Sequence, residues 1–255
     1  MPWSPQRYEV FADARLRPAS DLLARIPLER PGRIADLGCG SGNATLLLAA
    51  RWPAARITGY DNSPEMLDVA RARRREIDWQ VADLRSWRPT ERFDLVFSNA
   101  ALHWVDGHEA LFPRLLDALI PGGVLAVQMP RNFAAPSHRI AAKLAAEAPY
   151  HEHLARVPRD APVLAPARYR PLLAARASPV DIWETEYLQV LAGANPVADW
   201  TRSTLLVPLL DALPPPLRIE FESEYRRRVA RAYPAQADGS TLYPFRRLFL
   251  VATMH

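Results

Sequence analysis

Cysteine is almost missing from this chain: Cys39 is the only one among 255 residues. A single thiol forms no internal bridge, so a disulfide framework is excluded and a reducing compartment fits. Lysine is as scarce. Lys143 stands alone in a Lys+Arg total of 32, so nearly every positive charge is an arginine. No run of about 18 apolar residues occurs, which leaves no candidate transmembrane helix. Residues 1–10 include Pro, Gln, Arg and Glu where a signal peptide needs an apolar stretch. Cys and His lack zinc-type spacing, so no metal is expected. These absences lead to the expectation of a cytoplasmic protein with no membrane role.

What is present is ordinary for a globular chain: 49% hydrophobic and 24% charged residues. At roughly 150 residues per domain the length implies one large domain, or one domain with an insertion. The net charge of +4 raises the question of nucleic acid. The arginines, however, sit near acids on helix-like stretches, at Arg71, Arg73, Arg74 and Arg75 and at Arg226, Arg227 and Arg228. They read as solvated helix faces, and no nucleic-acid partner is expected.

Residues 34–37 form a short apolar run that meets a glycine cluster, and 43–50 continue as a helix. Strands follow at 55–60, 77–82, 93–98 and 124–128. Ser63, Pro64 and Glu65 mark a helix start between the second and third. A helix over 109–119 should stop at Pro121-Gly122-Gly123. Strands alternating with helices indicate βαβ units and a parallel sheet. After Pro130 the pattern changes. Residues 131–178 are expected to hold one helix, near 139–148, and a proline-rich stretch. Residues 180–188 read as a strand, 195–235 as helical with a break at Pro214-Pro215-Pro216, and 249–253 as a last strand.

The informative stretch is Asp36-Leu37-Gly38-Cys39-Gly40-Ser41-Gly42-Asn43. Glycines between a strand and a helix allow sharp turning and close approach of a ligand to the backbone. The spacing is G-x-G-x-G, not the G-x-G-x-x-G of dinucleotide sites. Asp36 would sit badly beside a pyrophosphate but suits a cationic ligand with an ammonium group, such as S-adenosylmethionine. Asp61 falls at the end of the second strand, where a carboxylate accepts both ribose hydroxyls. Asp83 falls at the end of the third, suited to an adenine amino group, and Asn99 closes the fourth. All lie where open α/β sheets bind ligands. Taken singly, each acid reads equally well as a helix cap or turn.

With these motifs the chain resembles the class I S-adenosylmethionine-dependent methyltransferases, and more closely the trans-aconitate 2-methyltransferase family. The match spans nearly the whole chain. It includes Trp3, Pro5, Tyr8, Arg17-Pro18-Ala19, the glycine motif, Arg51-Trp52-Pro53, Asn99-Ala100 and Trp104. Gln128-Met129-Pro130, Asp181-Ile182-Trp183, Trp200 and Arg247-Leu248-Phe249 continue it. The resemblance implies an α/β, Rossmann-like methyltransferase sheet with helices on both faces and a helical lid from the second half. It implies one domain over 1–255, with a helical segment at 1–30. The core would be about 31–130 plus 179–188 and 246–254, and the lid insertions 131–178 and 189–245.

The implied reaction is methylation of a carboxylate of trans-aconitate, giving a monomethyl ester and S-adenosylhomocysteine. Asp36, Gly38, Gly40, Gly42, Asn43, Asp61, Asn62, Asp83, Leu84 and Asn99 would hold the cofactor. Tyr8, Arg17, Trp104, Arg131 and Arg247 would hold the tricarboxylate, because arginine forks match carboxylates. A carboxylate is already ionised at neutral pH and needs no base. Four positions depart from the family pattern: His103 stands where Gln is usual, Arg131 where Asp is usual, Val207 where an arginine-bearing segment is usual, and Ser41 where Pro is usual. His103, beside Trp104 at the reacting centre, has two readings. It is a hydrogen-bonding substitute for Gln, or a general base for a different acceptor, a hydroxyl or carbon. Two further readings stay behind these: a non-catalytic S-adenosylmethionine-binding protein, and an NAD-dependent oxidoreductase disfavoured by the glycine spacing. Cys39 is given no redox role.

Overall fold

The computed structural model describes residues 12–157 and 162–255. The strands are β1 (Arg33–Leu37), β2 (Arg56–Asp61), β3 (Asp78–Val81), β4 (Phe93–Asn99), β5 (Leu119–Pro130), β6 (Ala177–Leu191) and β7 (Thr241–Met254). They form one sheet in the order β3-β2-β1-β4-β5-β7-β6. β1 to β5 pair in parallel, and β7 runs antiparallel to β5. Ile34, Ala35 and Leu37 of β1 and Leu95, Val96 and Phe97 of β4 are all buried. Such near-continuous apolar strands belong to a parallel sheet covered on both faces. The fold is α/β, as the alternation of strands and helices implies.

The chain divides into two compact units. Among the described residues one unit holds 13–130, 162–185 and 247–255. Its core gathers Leu37, Val96, Leu111, Phe112, Leu115, Leu125, Val127, Leu248 and Leu250. A smaller cluster of Cys39, Leu67, Ala70 and Trp79 packs beside the glycine loop. The helices of this unit include α1 (Ala12–Ala24), α2 (Asn43–Arg51), α3 (Pro64–Arg73) and α4 (His108–Asp117). Ser63 caps α3, its hydroxyl accepting from the Met66 amide at 3.3 Å, with Pro64 in the first turn.

The other unit holds 131–157 and 186–246 among the described residues. Its helices are α5 (Pro136–Ala145), α6 (His151–Leu154), α8 (Pro196–Arg202), α9 (Val207–Ala212) and α10 (Pro215–Ala232), while α7 (Pro166–Ala174) belongs with the first unit. Tyr225 of α10 donates to Thr201 of α8 at 2.9 Å, and Trp200, Tyr243 and Phe245 meet edge to face or tilted. The arginine runs engage acids. Arg226 bonds Asp199, Arg227 bonds Glu224, and Arg228 reaches both Glu224 and Glu147.

Four sequence expectations change. Among the described residues of 131–178 there are three helices, not one; Pro136 and Pro166 each open one at its first turn, where a missing N–H costs nothing. Pro121-Gly122-Gly123 does not separate a helix from a strand, since β5 already begins at Leu119. Phe93 pairs with Leu119 and Leu95 with Val124. Between those pairs β4 has only Asp94, whereas β5 has Ile120, Pro121, Gly122 and Gly123, a bulge of four residues against one. β6 extends past 180–188 at both ends. β7 begins at Thr241 rather than near 249. Among the described residues no helix is long and apolar enough to cross a membrane.

Candidate active site

β1 stands where the strand order reverses, with β2 on one side and β4 on the other. Open α/β sheets bind ligands outside the carboxyl ends of strands at such a point. There the chain turns through Gly38, Gly40 and Gly42. Gly38 has φ +72°, and a Cβ on it would lie 2.1 Å from Ala101 Cβ and 3.7 Å from Leu84 Cδ1. Gly42 has φ +84°, and its Cβ would meet Trp79 Cη2 at 2.8 Å. The Gly38 and Cys39 amides both donate to the Tyr60 carbonyl, at 2.7 and 3.0 Å, which ties the loop to β2. Burial, then Asp36 and Asp61, push the Cys39 thiol far above its usual range, so it stays protonated.

Asp61 joins this loop to the next helix. Its Oδ2 accepts from the Gly40 amide at 2.8 Å and its Oδ1 from the Ser63 amide at 2.9 Å. A carboxylate oxygen has two acceptor directions, so each keeps one for a ligand hydroxyl. Asn62, next in the chain, is exposed. Asp83 follows β3 and is gripped by Arg85, whose Nε and Nη2 lie 2.6 to 3.0 Å from its oxygens. These contacts hold the Asp83 carboxyl below the usual range. The Leu84 carbonyl accepts from Arg114 at 2.9 Å.

Asp36 is buried, 1% exposed, and accepts from the Thr45 hydroxyl at 2.6 Å. Burial pushes its carboxyl up to about 7, against the Thr45 hydrogen bond and with help from Asp61. Asn43 opens α2 and accepts from Arg73. Asn99 ends β4 with a buried Oδ1 that has no hydrogen-bond partner. Ala100 then takes φ +54°, rare for a residue with a side chain, and its amide donates to the Gln128 carbonyl at 2.9 Å. The loop cradle, the open acceptor directions of Asp61 and the orphaned Asn99 oxygen suit a nucleoside with an ammonium group.

A 3-10 turn over Leu102–Trp104 carries His103 and Trp104, whose ring centroids lie 4.7 Å apart. Trp104 is 62% exposed. His103 Nδ1 is buried without a partner. Burial first, then the Arg247 guanidinium, push the His103 imidazole down to about 3. So weak a base has little driving force to take a hydroxyl proton near neutrality. Arg247 is buried on β7 and its Nη1 donates to Gln128 Oε1 at 3.4 Å.

Gln128, fully buried on β5, pairs in register with Asn99 of β4 and Phe249 of β7. Its one sequence signal is a polar side chain inside the apolar run 124–128; its place across from Asn99 comes from the pairing of β4 with β5. The structure thus gathers the glycine loop with Asp36, Asp61 and Leu84, and joins Arg247 to Gln128 near His103. Arg17 lies on an exposed face of α1. Arg131 belongs to the other compact unit, and its amide donates to the Arg246 carbonyl at 2.9 Å. Tyr8 lies outside the described residues. Among the described residues no group of three or more His, Cys, Asp or Glu could hold a metal ion.

Residues 34–123 match a family model described as a methyltransferase domain. A trans-aconitate 2-methyltransferase of Streptomyces coelicolor is 52% identical over 261 residues, covering 98% of this chain and 86% of its own. One of Variovorax paradoxus is 46% identical over 252 residues, covering 98% and 97%. Among solved structures, phosphoethanolamine N-methyltransferase 2 of Haemonchus contortus, in complex with S-adenosyl-L-methionine, superposes with a TM-score of 0.56 at 17% identity. It covers 93% of this chain and 52% of its own, a likeness of fold.

Proposed function

The chain belongs to the trans-aconitate 2-methyltransferase family, and from that membership we propose that it transfers a methyl group from S-adenosylmethionine to one carboxylate of trans-aconitate. The products are a monomethyl ester and S-adenosylhomocysteine. One observation carries the choice of a carboxylate: the buried cation Arg247 stands near a histidine that remains neutral. An anionic acceptor wants the first and has no use for a base.

In this reading Gly38, Gly40 and Gly42 let the backbone approach the cofactor, and Asp61 accepts from its ribose. Asp83 accepts from the adenine once Arg85 yields; an exposed pair of that kind is weak enough to open. Asp36 and Asn99 serve the cationic amino-acid end. Asn43, Asn62 and Leu84 line the same site. When bound, the cofactor supplies an electrophilic methyl on a sulfonium. Arg247, Trp104, Arg17, Arg131 and Tyr8 position the acceptor, and His103 serves as a neutral hydrogen-bonding group beside Trp104. Orientation and exclusion of water supply most of the acceleration, since no proton has to move. The same proposal treats 1–255 as one methyltransferase domain, with 131–178 and 189–245 as insertions, acting in the cytoplasm on a small molecule rather than on nucleic acid.

The test is incubation with methyl-labelled S-adenosylmethionine and a panel of tricarboxylates and phenols. The expected product is a labelled ester of trans-aconitate that releases its label as methanol in alkali. Label held in an alkali-stable ether or carbon–methyl bond would overturn the proposal.

A further inference from the structure

Gln128 is a buried residue whose polar end the fold leaves without a partner. Its side chain is fully buried near the end of β5. Oε1 accepts from Arg247, which fixes the amide with its oxygen toward the cation. The other end, Nε2, is buried with no hydrogen-bond partner. A buried donor left unmade is costly, so its presence calls for a ligand. Two neighbours repeat the pattern: Asn99 Oδ1, across from Gln128 in register, and His103 Nδ1. Asn99 offers an acceptor and so stands apart from an anion site. Gln128 offers donors beside a guanidinium, and a planar anion with two oxygens fits that pair.

We infer that Gln128 is a specificity-determining residue whose Nε2, aligned by Arg247, holds a carboxylate of the acceptor that is not itself methylated. The inference rests on the carboxylate reading above and deepens it. Its direction comes from the charge change during reaction. The attacking carboxylate loses negative charge as its oxygen bonds to the methyl carbon and the carbon–sulfur bond breaks. Strong donors on that carboxylate would favour the ground state over the transition state and slow the step. A spectator carboxylate keeps its full charge throughout. Donors placed there bind the acceptor without opposing the chemistry.

The experiment compares steady-state kinetics of the wild type, Gln128→Met and Gln128→Glu. Met keeps the reach without the donor; Glu keeps an acceptor for Arg247 but sets a carboxylate against a carboxylate. The acceptors are trans-aconitate and the three dicarboxylates that each lack one of its carboxylates: glutaconate, mesaconate and itaconate. For trans-aconitate, Gln128→Met should raise KM by about 10- to 100-fold, the scale of one hydrogen bond to a charged group. The kcat should change little, as expected for binding shared by ground and transition states. Gln128→Glu should lose more, and S-adenosylhomocysteine affinity should stay at the wild-type value in both.

One dicarboxylate, the one missing the spectator group, should bind the wild type weakly and be indifferent to Gln128→Met. An unchanged KM for trans-aconitate, or an equal loss on every acceptor, would overturn the inference while leaving the carboxylate reading intact. A wild type that labels no carboxylate at all overturns that reading, and the inference falls with it. If Gln128→Met does not fold, the wild-type dicarboxylate series and Gln128→Glu still decide. Three dicarboxylates used equally well, with Gln128→Glu harmless, would leave no place for a clamp.

Discussion

His108 Nε2 lies 3.0 Å from the Leu102 carbonyl oxygen, while its Nδ1 lies 2.6 Å from Tyr169 Oη. The carbonyl only accepts, so Nε2 carries the hydrogen and Nδ1 accepts from the tyrosine. Tyr169 Oη in turn accepts from the Leu164 amide at 3.0 Å. Burial holds His108 below its usual pKa, in keeping with a neutral ring. The pair therefore fastens the turn that presents His103 and Trp104 to a tyrosine far along the chain.

Tyr169→Phe removes the donor to His108 and the acceptor for Leu164 together. The expected cost is about 1–3 kcal/mol of stability, the usual range for buried polar groups left unsatisfied. The loosened turn should lower kcat while S-adenosylhomocysteine affinity holds. Urea melts, kinetics and calorimetry on one preparation check all three.

Gly38→Ala places a methyl where Ala101 already has one, at a φ that L residues avoid. The loop has to shift, at about 1–3 kcal/mol or more. Cofactor binding should be lost at concentrations that saturate the wild type, together with a fall in Tm. Normal binding would mean that the loop is not the cofactor cradle.

Asp61→Ala removes the acceptor for the Gly40 and Ser63 amides as well as the one assigned to the ribose. Cofactor affinity should fall by roughly 2–4 kcal/mol, the scale of two charge-assisted hydrogen bonds. Asp61→Asn, which keeps an acceptor oxygen, should lose less. Titration calorimetry showing no change in either variant would take Asp61 out of the site.

Asp36 carries a pH signature. Its folded pKa is raised to about 7 from an ordinary 3.8. The stability it contributes is fully present below pH 3.8 and is lost as pH rises through 7. Asp36→Asn should therefore gain stability over the wild type by up to about 1.4 kcal/mol per pH unit across that window, levelling off above it. The same change should weaken binding of the cationic cofactor. Denaturant melts at pH 5 and pH 8 give the first result and calorimetry the second; equal stability differences at both pH values would contradict the burial argument.

His103→Gln separates carboxylate from hydroxyl chemistry. With a carboxylate acceptor most activity should remain, and at saturating cofactor the pH–rate profiles of wild type and His103→Gln should have the same shape. A general base would instead cost about 10²–10⁴-fold in kcat when removed. A hundredfold fall with cofactor binding unchanged would favour the hydroxyl.

The parallel half of the sheet was legible because its signals agree. β1 and β4 are short, mostly apolar runs, β2 and β4 close on Asp61 and Asn99, Asp83 follows β3, and Ser63 with Pro64 announces a helix. Three of the departures involve proline or glycine in a second role. Pro136 and Pro166 begin helices, and Pro121-Gly122-Gly123 sits in a bulge inside a strand rather than a turn between elements. Thr241 to Pro244 joins β7 although its proline argues against a strand. Gln128 was hidden for another reason. Its burial and its bond to Arg247 depend on the register of two strands far apart in sequence, which no local pattern encodes.

That register has a consequence for how the protein comes into being. Gln128 and Arg247 are 119 positions apart. A ribosome that has made β1 to β5 has produced a sheet whose β5 edge is still bare, apolar and open to pairing with other chains. The anion clamp does not exist until β7 emerges and inserts antiparallel. It must also insert in one frame, because a slip of a single residue turns Arg247 to the opposite face. Assembly of the acceptor site is thus a late step in the life of the nascent chain, and a proofread one: only the frame that buries Leu248 and Leu250 in the apolar core also brings Arg247 to Gln128.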